Sequence, residues 1–210
     1  LRHKATQSIT EEELDILSNS SLDLLQSQVS RRKNPSFIEA KHAEMNIATI
    51  SNACSYSGSF TTLAEDDNLM RFYPIAVYYQ DMLFPSLAIQ TLRLKFNSDV
   101  ERVDETHVSF NGRLIGLDKR GFIRLNYYKK EQYNIVSFLD VVGKKVKPEY
   151  FKNKIVILGI TEVGAGDVAS TPIGSLYGPL LHYTFISNVL ENHLIKEPPY
   201  ISNLIVVLLA

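Results

Sequence analysis

If this chain performs chemistry, the stretch Lys154–Gly174, KIVILGITEVGAGDVASTPIG, holds the residues for it: an apolar run that meets a glycine-rich loop. Many nucleotide sites begin this way, because glycines let backbone amides close around a phosphate. A Walker-type loop needs a lysine after its last glycine, and here Asp167 follows Gly166. Gly164-x-Gly166-x-x-Ala169 does match a dinucleotide fingerprint. Yet the expected strand ends near Gly159, Pro172 leaves no room for a long helix, and Asp167 puts a negative charge where the pyrophosphate would sit.

Other chemistries have less support. No G-x-S-x-G nucleophile elbow is present. His182 and His193 fall on one expected helix, roughly 16 Å apart along its axis at 1.5 Å per residue, too far to share a metal ion. His3, His42 and His107 are scattered, and Cys54 is alone, so neither a metal site nor an internal disulfide is expected. Glu65-Asp66-Asp67 could be a carboxylate cluster and reads more simply as a solvated turn. No cofactor is expected. Ligands of α/β sheets sit beyond the carboxyl ends of the strands, which singles out Thr161, Glu162, Asp167, Ser170 and Thr171 as candidate ligand contacts. The alternative is structural: Gly159, Gly164, Gly166, Pro172 and Gly174 shape the loop, while Asp167 and Thr171 bond its own amides.

The elements around this stretch read as an α/β or α+β domain, a mixed sheet with flanking helices. KIVILGI is a continuous apolar run of strand length, the pattern of a buried central strand. After the loop, Gly178-Pro179 opens a helix whose Leu181, Phe185 and Val189 form one apolar stripe. Upstream, Thr10 and Glu13 form a capping box. GSFTTL and LMRFYPIAVYY read as strands, with Pro74 requiring an edge or a bulge. Asn68 suits a left-handed turn, and Pro85 would be the first residue of the helix PSLAIQTLRLKF. Asn111-Gly112 between two short apolar runs predicts a type I′ hairpin. Ser137 and Gly143 bracket a short helix, FLDVV.

The bulk numbers exclude one class of partner. With 22 basic against 23 acidic residues the net charge is −1, so no basic field for nucleic acid exists. The 210 residues fit one domain, or one domain and a piece of another. The chain opens on Leu1 and closes inside ISNLIVVLLA, so it reads as a fragment of a longer protein. Residues 198–210 are then the start of a truncated transmembrane helix, since a full span needs roughly twenty apolar residues.

An ordered set of motifs resembles the CHASE domains of the second type. They are Gly58-Ser59-Phe60, EDDNLMR with Asp67, Asn68 and Arg71, YPIAV, FPSLAIQ, RGFIRLNYY, SFLDVV, the block YFKNKIVILGITEVGAGDVASTPIG, and YGPLLHYTFISNVLENHLIKEPP. The resemblance runs from about Pro35 to Pro199. It departs from the family at Gln80-Asp81, where a glycine is usual, and at Leu180, where a glutamate often precedes the helix histidine. It implies that residues 1–197 are a partial extracytoplasmic sensory domain, lacking strands and helices that normally precede it. It also implies a bacterial inner-membrane receptor, expected as a homodimer and responding to an unidentified small molecule or protein. FIEAKHAEMNIATISNACSYSGSF most resembles members linked to adenylate cyclases; a histidine kinase or Ser/Thr kinase output is the alternative. The segment itself would not be an enzyme. The helix bearing His182, Phe185 and Val189 would transmit the signal. A nucleotide-binding α/β enzyme, or a structural dimerisation module, are the competing readings.

Overall fold

The computed structural model describes residues 9–22, 37–104, 106–161 and 167–195. Glu162, Gly164, Gly166 and the apolar run Ile201–Ala210 lie outside them, as does most of the leucine-bearing segment after Leu22. Among the described residues no helix is long and apolar enough to cross a membrane.

The fold is mixed α/β, as expected, but its strands are short and gathered into small sheets rather than one large one. Helix α1 (Glu11–Ser18) starts at the expected capping box, Thr10 and Glu13 each bonding the other's backbone N–H. Strands β2 (Phe72–Pro74) and β3 (Ala76–Tyr79) come from the single run LMRFYPIAVYY, which breaks after Pro74. Having no N–H, Pro74 cannot continue a ladder on both sides. Accordingly β2 pairs with β8 (Phe122–Arg124), while β3 lies between β1 (Ile38–Glu39), to which it is parallel, and β4 (Met82–Pro85). The β3–β4 turn uses Gln80 and Asp81 at φ 45° and 61°, so two non-glycine residues take the left-handed conformation of a tight hairpin.

Pro85 does not open the following helix. It ends β4, its carbonyl accepts from Ser59 N–H, and Ser86 is the N-cap of α3 (Leu87–Phe96). GSFTTL makes only a bridge at Ser59 rather than a strand. Strands β5 (Val100–Arg102), β6 (His107–Phe110) and β7 (Arg113–Gly116) form an antiparallel meander, and Asn111-Gly112 supply its predicted turn at φ 49° and 74°. Two further helices are short, α2 (Ala48–Ser51) and α4 (Phe138–Val142), the latter between the predicted Ser137 and Gly143. The last elements are a hairpin of β9 (Val168–Thr171) and β10 (Gly174–Tyr177), running directly into α5 (Gly178–Glu191).

A further expectation is overturned. KIVILGI is not a buried central strand: no backbone group of Ile155–Thr161 bonds another backbone group among the described residues. Ile155 and Ile157 pack on the core, whereas Val156, Leu158 and Ile160 are 59%, 80% and 63% exposed. An apolar run sets the capacity to be buried; burial also needs neighbours on both faces, and among the described residues α3 and α5 line one of them. The core lies beneath α3 and α5, where Tyr73, Ile75, Ile89, Leu92, Phe110 and Phe185 are almost fully buried.

Candidate functional site

Helix α5 carries two buried polar side chains, Thr184 and Asn188, and a half-buried histidine, His182. Its predicted stripe, Leu181, Phe185 and Val189, is buried, with Phe185 stacked on the Tyr73 ring at 4.7 Å between centroids. Beside that stripe runs a row of polar residues that the apolar periodicity does not reveal. His182 Nδ1 lies 2.6 Å from the Tyr73 hydroxyl. Thr184 Oγ1 is buried, bonding Leu180 C=O at 2.7 Å and the Tyr133 hydroxyl at 2.8 Å. Asn188, also buried, accepts from Asn126 N–H and donates to Asn126 C=O, so its amide pairs with the chain after β8 as a strand would. Buried polar groups are tolerated because each has a partner, and these partners fix where α5 sits.

The helix ends are held as well. Arg113 on β7 donates to the Val189 and Leu190 carbonyls. A cation there opposes the negative end of the helix dipole, and the last turn of α5 has no basic residue of its own. Asn192 closes the helix in the left-handed region at φ 58°, and the next N–H, of His193, bonds Asn188 C=O.

At the N-terminal end, two glycines permit close approaches. A Cβ on Gly178 would fall 2.0 Å from Asp167 Oδ1, and one on Gly159 would fall 2.1 Å from Pro179 Cγ. The Asp167 carboxylate therefore rests against the first residue of α5, while Asp167 C=O accepts Gly178 N–H. A helix N-terminus favours an anion, and the Asp167 carboxylate lies beside that end of α5.

Among the described residues the candidate ligand contacts differ in exposure: Thr161, Asp167 and Ser170 are exposed and Thr171 is buried. Thr161 is exposed at the end of the unpaired segment, Glu162 lies outside the described residues, and Asp167, just before β9, lies beside the first residue of α5. Ser170 and Thr171 alternate on β9, Ser170 outward and Thr171 inward. The Thr171 hydroxyl donates to Gly174 C=O, so it closes the hairpin around Pro172 rather than bonding a loop amide. Gly174 itself has φ 101°. Glu65 and Asp67 form a structural cluster with Arg71, whose guanidinium meets both carboxylates at 2.6 Å. That fork holds the Asp67 carboxyl below the usual carboxylate range. It also fixes the chain at Met70, whose N–H bonds Ser170 C=O.

Sequence reasoning missed Tyr73, Ser86, Arg113, Asn126, Thr184 and Asn188. The only visible signal was polar residues at i and i+4 on one side of an otherwise apolar helix, Thr184 and Asn188.

Residues 9–210 match the family model of the CHASE2 domain. Comparison with curated proteins and with solved structures returned no match.

Proposed function

The chain belongs to the CHASE2 family of extracytoplasmic sensory domains of signalling receptors, and from that premise we propose that it is the input module of a bacterial inner-membrane receptor controlling a class III adenylate or guanylate cyclase. The segment is sensory, not catalytic. The observation that supports a mechanical role is α5. It is attached to β2, β7 and the chain after β8 by polar contacts of Tyr73, Arg113 and Asn126, so a small shift at any of these contacts moves one rigid element. We read residues 198–210, which follow it in sequence, as the start of the membrane helix, and the receptor as a homodimer whose signal is a small molecule or a protein. A signal changes the output only by its differential affinity for the two states of the receptor.

The resemblance of FIEAKHAEMNIATISNACSYSGSF to cyclase-linked members favours the cyclase output over a histidine or Ser/Thr kinase. The test is to express the full receptor and assay its membranes for cyclic nucleotide synthesis and for phosphoryl transfer. Cyclic nucleotide formation supports the proposal; autophosphorylation without it would assign the same sensory domain to a kinase.

A further inference from the structure

Ser86 is an anomaly. A serine at an N-cap usually turns its hydroxyl onto the N–H of the second or third helical residue. Ser86 caps α3, is fully buried, and makes no such bond; among the described residues its Oγ makes no hydrogen bond of normal geometry, and the Tyr73 hydroxyl is its polar neighbour. The capping role has passed to Tyr73, whose oxygen accepts the Ala88 N–H at 3.4 Å. That oxygen lies beside Ser86 and 2.6 Å from His182 Nδ1. One hydroxyl thus joins the first turn of α3 to the second turn of α5.

The heavy atoms leave the His182 tautomer to be assigned, and a donor count gives two arrangements of the hydrogens. Tyr73 has one hydrogen and two lone pairs. In the first arrangement one lone pair takes the Ala88 N–H and the Tyr73 hydrogen goes to His182 Nδ1. The imidazole is then neutral and carries its own hydrogen on Nε2. In a second arrangement the Tyr73 hydrogen turns to Ser86 Oγ, and Nδ1 takes a proton from solvent. The new Nδ1–H then donates to the free lone pair of Tyr73. One N–H bond forms, the imidazole gains one positive charge, and Ser86 acquires the partner it lacks.

We propose that Ser86, Tyr73 and His182 form a two-state proton-binding relay, and that the ligand it takes on the extracytoplasmic side is the proton. Solvent reaches the ring through a groove of about 240 Å³ bounded by Leu87, Thr91, Ile155, Ile157, His182 and Ile186. The groups that face His182 from the packed elements, among the described residues, decide the effect. On β2 there is Tyr73, before β9 there is the Asp167 carboxylate, and the groove residues of α3 and of Ile155–Leu158 are uncharged. Burial disfavours the imidazolium and outweighs Asp167, which favours it. The new charge also lies near the N-terminal end of α5, where the helix dipole repels it. Protonation keeps the Tyr73–His182 contact but adds a charge that burial and the dipole disfavour, so acidification weakens the seat of α5, and this is the regulatory step. The inference rests on the sensory reading above, since it supplies that reading with its signal.

The test uses the full receptor in proteoliposomes, labelled with ¹⁵N-histidine and titrated from pH 7.5 to 4.5, with His182→Gln to assign the resonance. At pH 7.5 we expect an Nε2–H tautomer. Ser86→Ala removes the acceptor needed by the protonated arrangement and should lower the midpoint by about half to one pH unit, the effect of one neutral hydrogen bond. Output is measured in parallel at fixed internal pH while the external pH is lowered. A pH-dependent output abolished by His182→Gln supports the proposal. An unchanged midpoint in Ser86→Ala overturns the relay, and an output indifferent to external pH overturns its regulatory role. Either failure leaves the sensory reading standing, because a break at the exit of α5 tests that reading without reference to pH.

Discussion

The Asn188 side chain on α5 makes both backbone hydrogen bonds of Asn126, accepting from its N–H at 2.8 Å and donating to its C=O at 2.9 Å. Asn126 in turn reaches past the helix end and donates its own amide to His193 C=O at 3.0 Å. The two asparagines thus couple the strand layer to both the body and the exit of α5.

Removing that coupling has a predictable cost. Asn188→Leu leaves two half-buried backbone groups without partners and should destabilise the domain by about 1–3 kcal/mol. Urea unfolding of the 1–210 polypeptide measures this. Stability within about 0.5 kcal/mol of wild type would show that water replaces the amide at no cost.

The two close-approach glycines should differ in their tolerance of a methyl group. At Gly178 the obstacle is the far end of the Asp167 side chain, which can swing aside. At Gly159 it is the Pro179 ring, fixed at the start of α5. Overpacking against a fixed group costs about 1–3 kcal/mol, so Gly159→Ala should unfold at a clearly lower temperature than Gly178→Ala. The reverse order would contradict the geometry.

Stability should fall with acidification in two separate windows. Burial holds His182 below its ordinary range, so the unfolded chain takes up its proton first as pH falls. The His182 contribution is complete above about pH 6.5 and is lost below it. Asp67, held down by the Arg71 hydrogen bond, and Asp104, held down by the Thr106 N–H, act lower. Their contribution is present above the ordinary carboxylate range and disappears only below it. Urea midpoints of wild type and His182→Gln at pH 7.5 and 5.0 separate the windows. The wild type should lose more stability over this interval; equal losses would show that His182 does not contribute.

The unpaired segment makes a further prediction. With no backbone bonds among the described residues, the amides of Ile155–Thr161 should exchange with solvent within seconds in the 1–210 polypeptide, while those of Phe185–Val189 are protected. Slow exchange at Val156 and Leu158 would contradict the open arrangement.

Local chemistry was legible in the sequence. The Thr10–Glu13 capping box, the Asn111-Gly112 turn, the left-handed Asn68 and the buried stripe of α5 each depend on a few neighbouring residues, and each is found. What was not legible depends on distant pairs. Tyr73 meets His182 across 109 positions, and Asn126 meets Asn188 across 62; no spacing rule carries such contacts. KIVILGI misled for a related reason. Hydrophobicity reports what a strand could bury, while its pairing and its second face must come from elsewhere. The polar candidates of the loop were singled out by their position after a strand that is not formed as such, and β9 then turns Ser170 and Thr171 to opposite faces.

The central claim is that α5 carries the signal out of this domain. The most direct test is the output of the full receptor with Gly-Gly inserted between Leu194 and Ile195, just beyond the Asn192 cap. Sensory-domain unfolding should be unchanged, since the insertion lies outside every α5 contact described above. Output should shift by about fivefold or more, the lower range of a coupling between two sites. Wild-type output from the inserted receptor would contradict the claim.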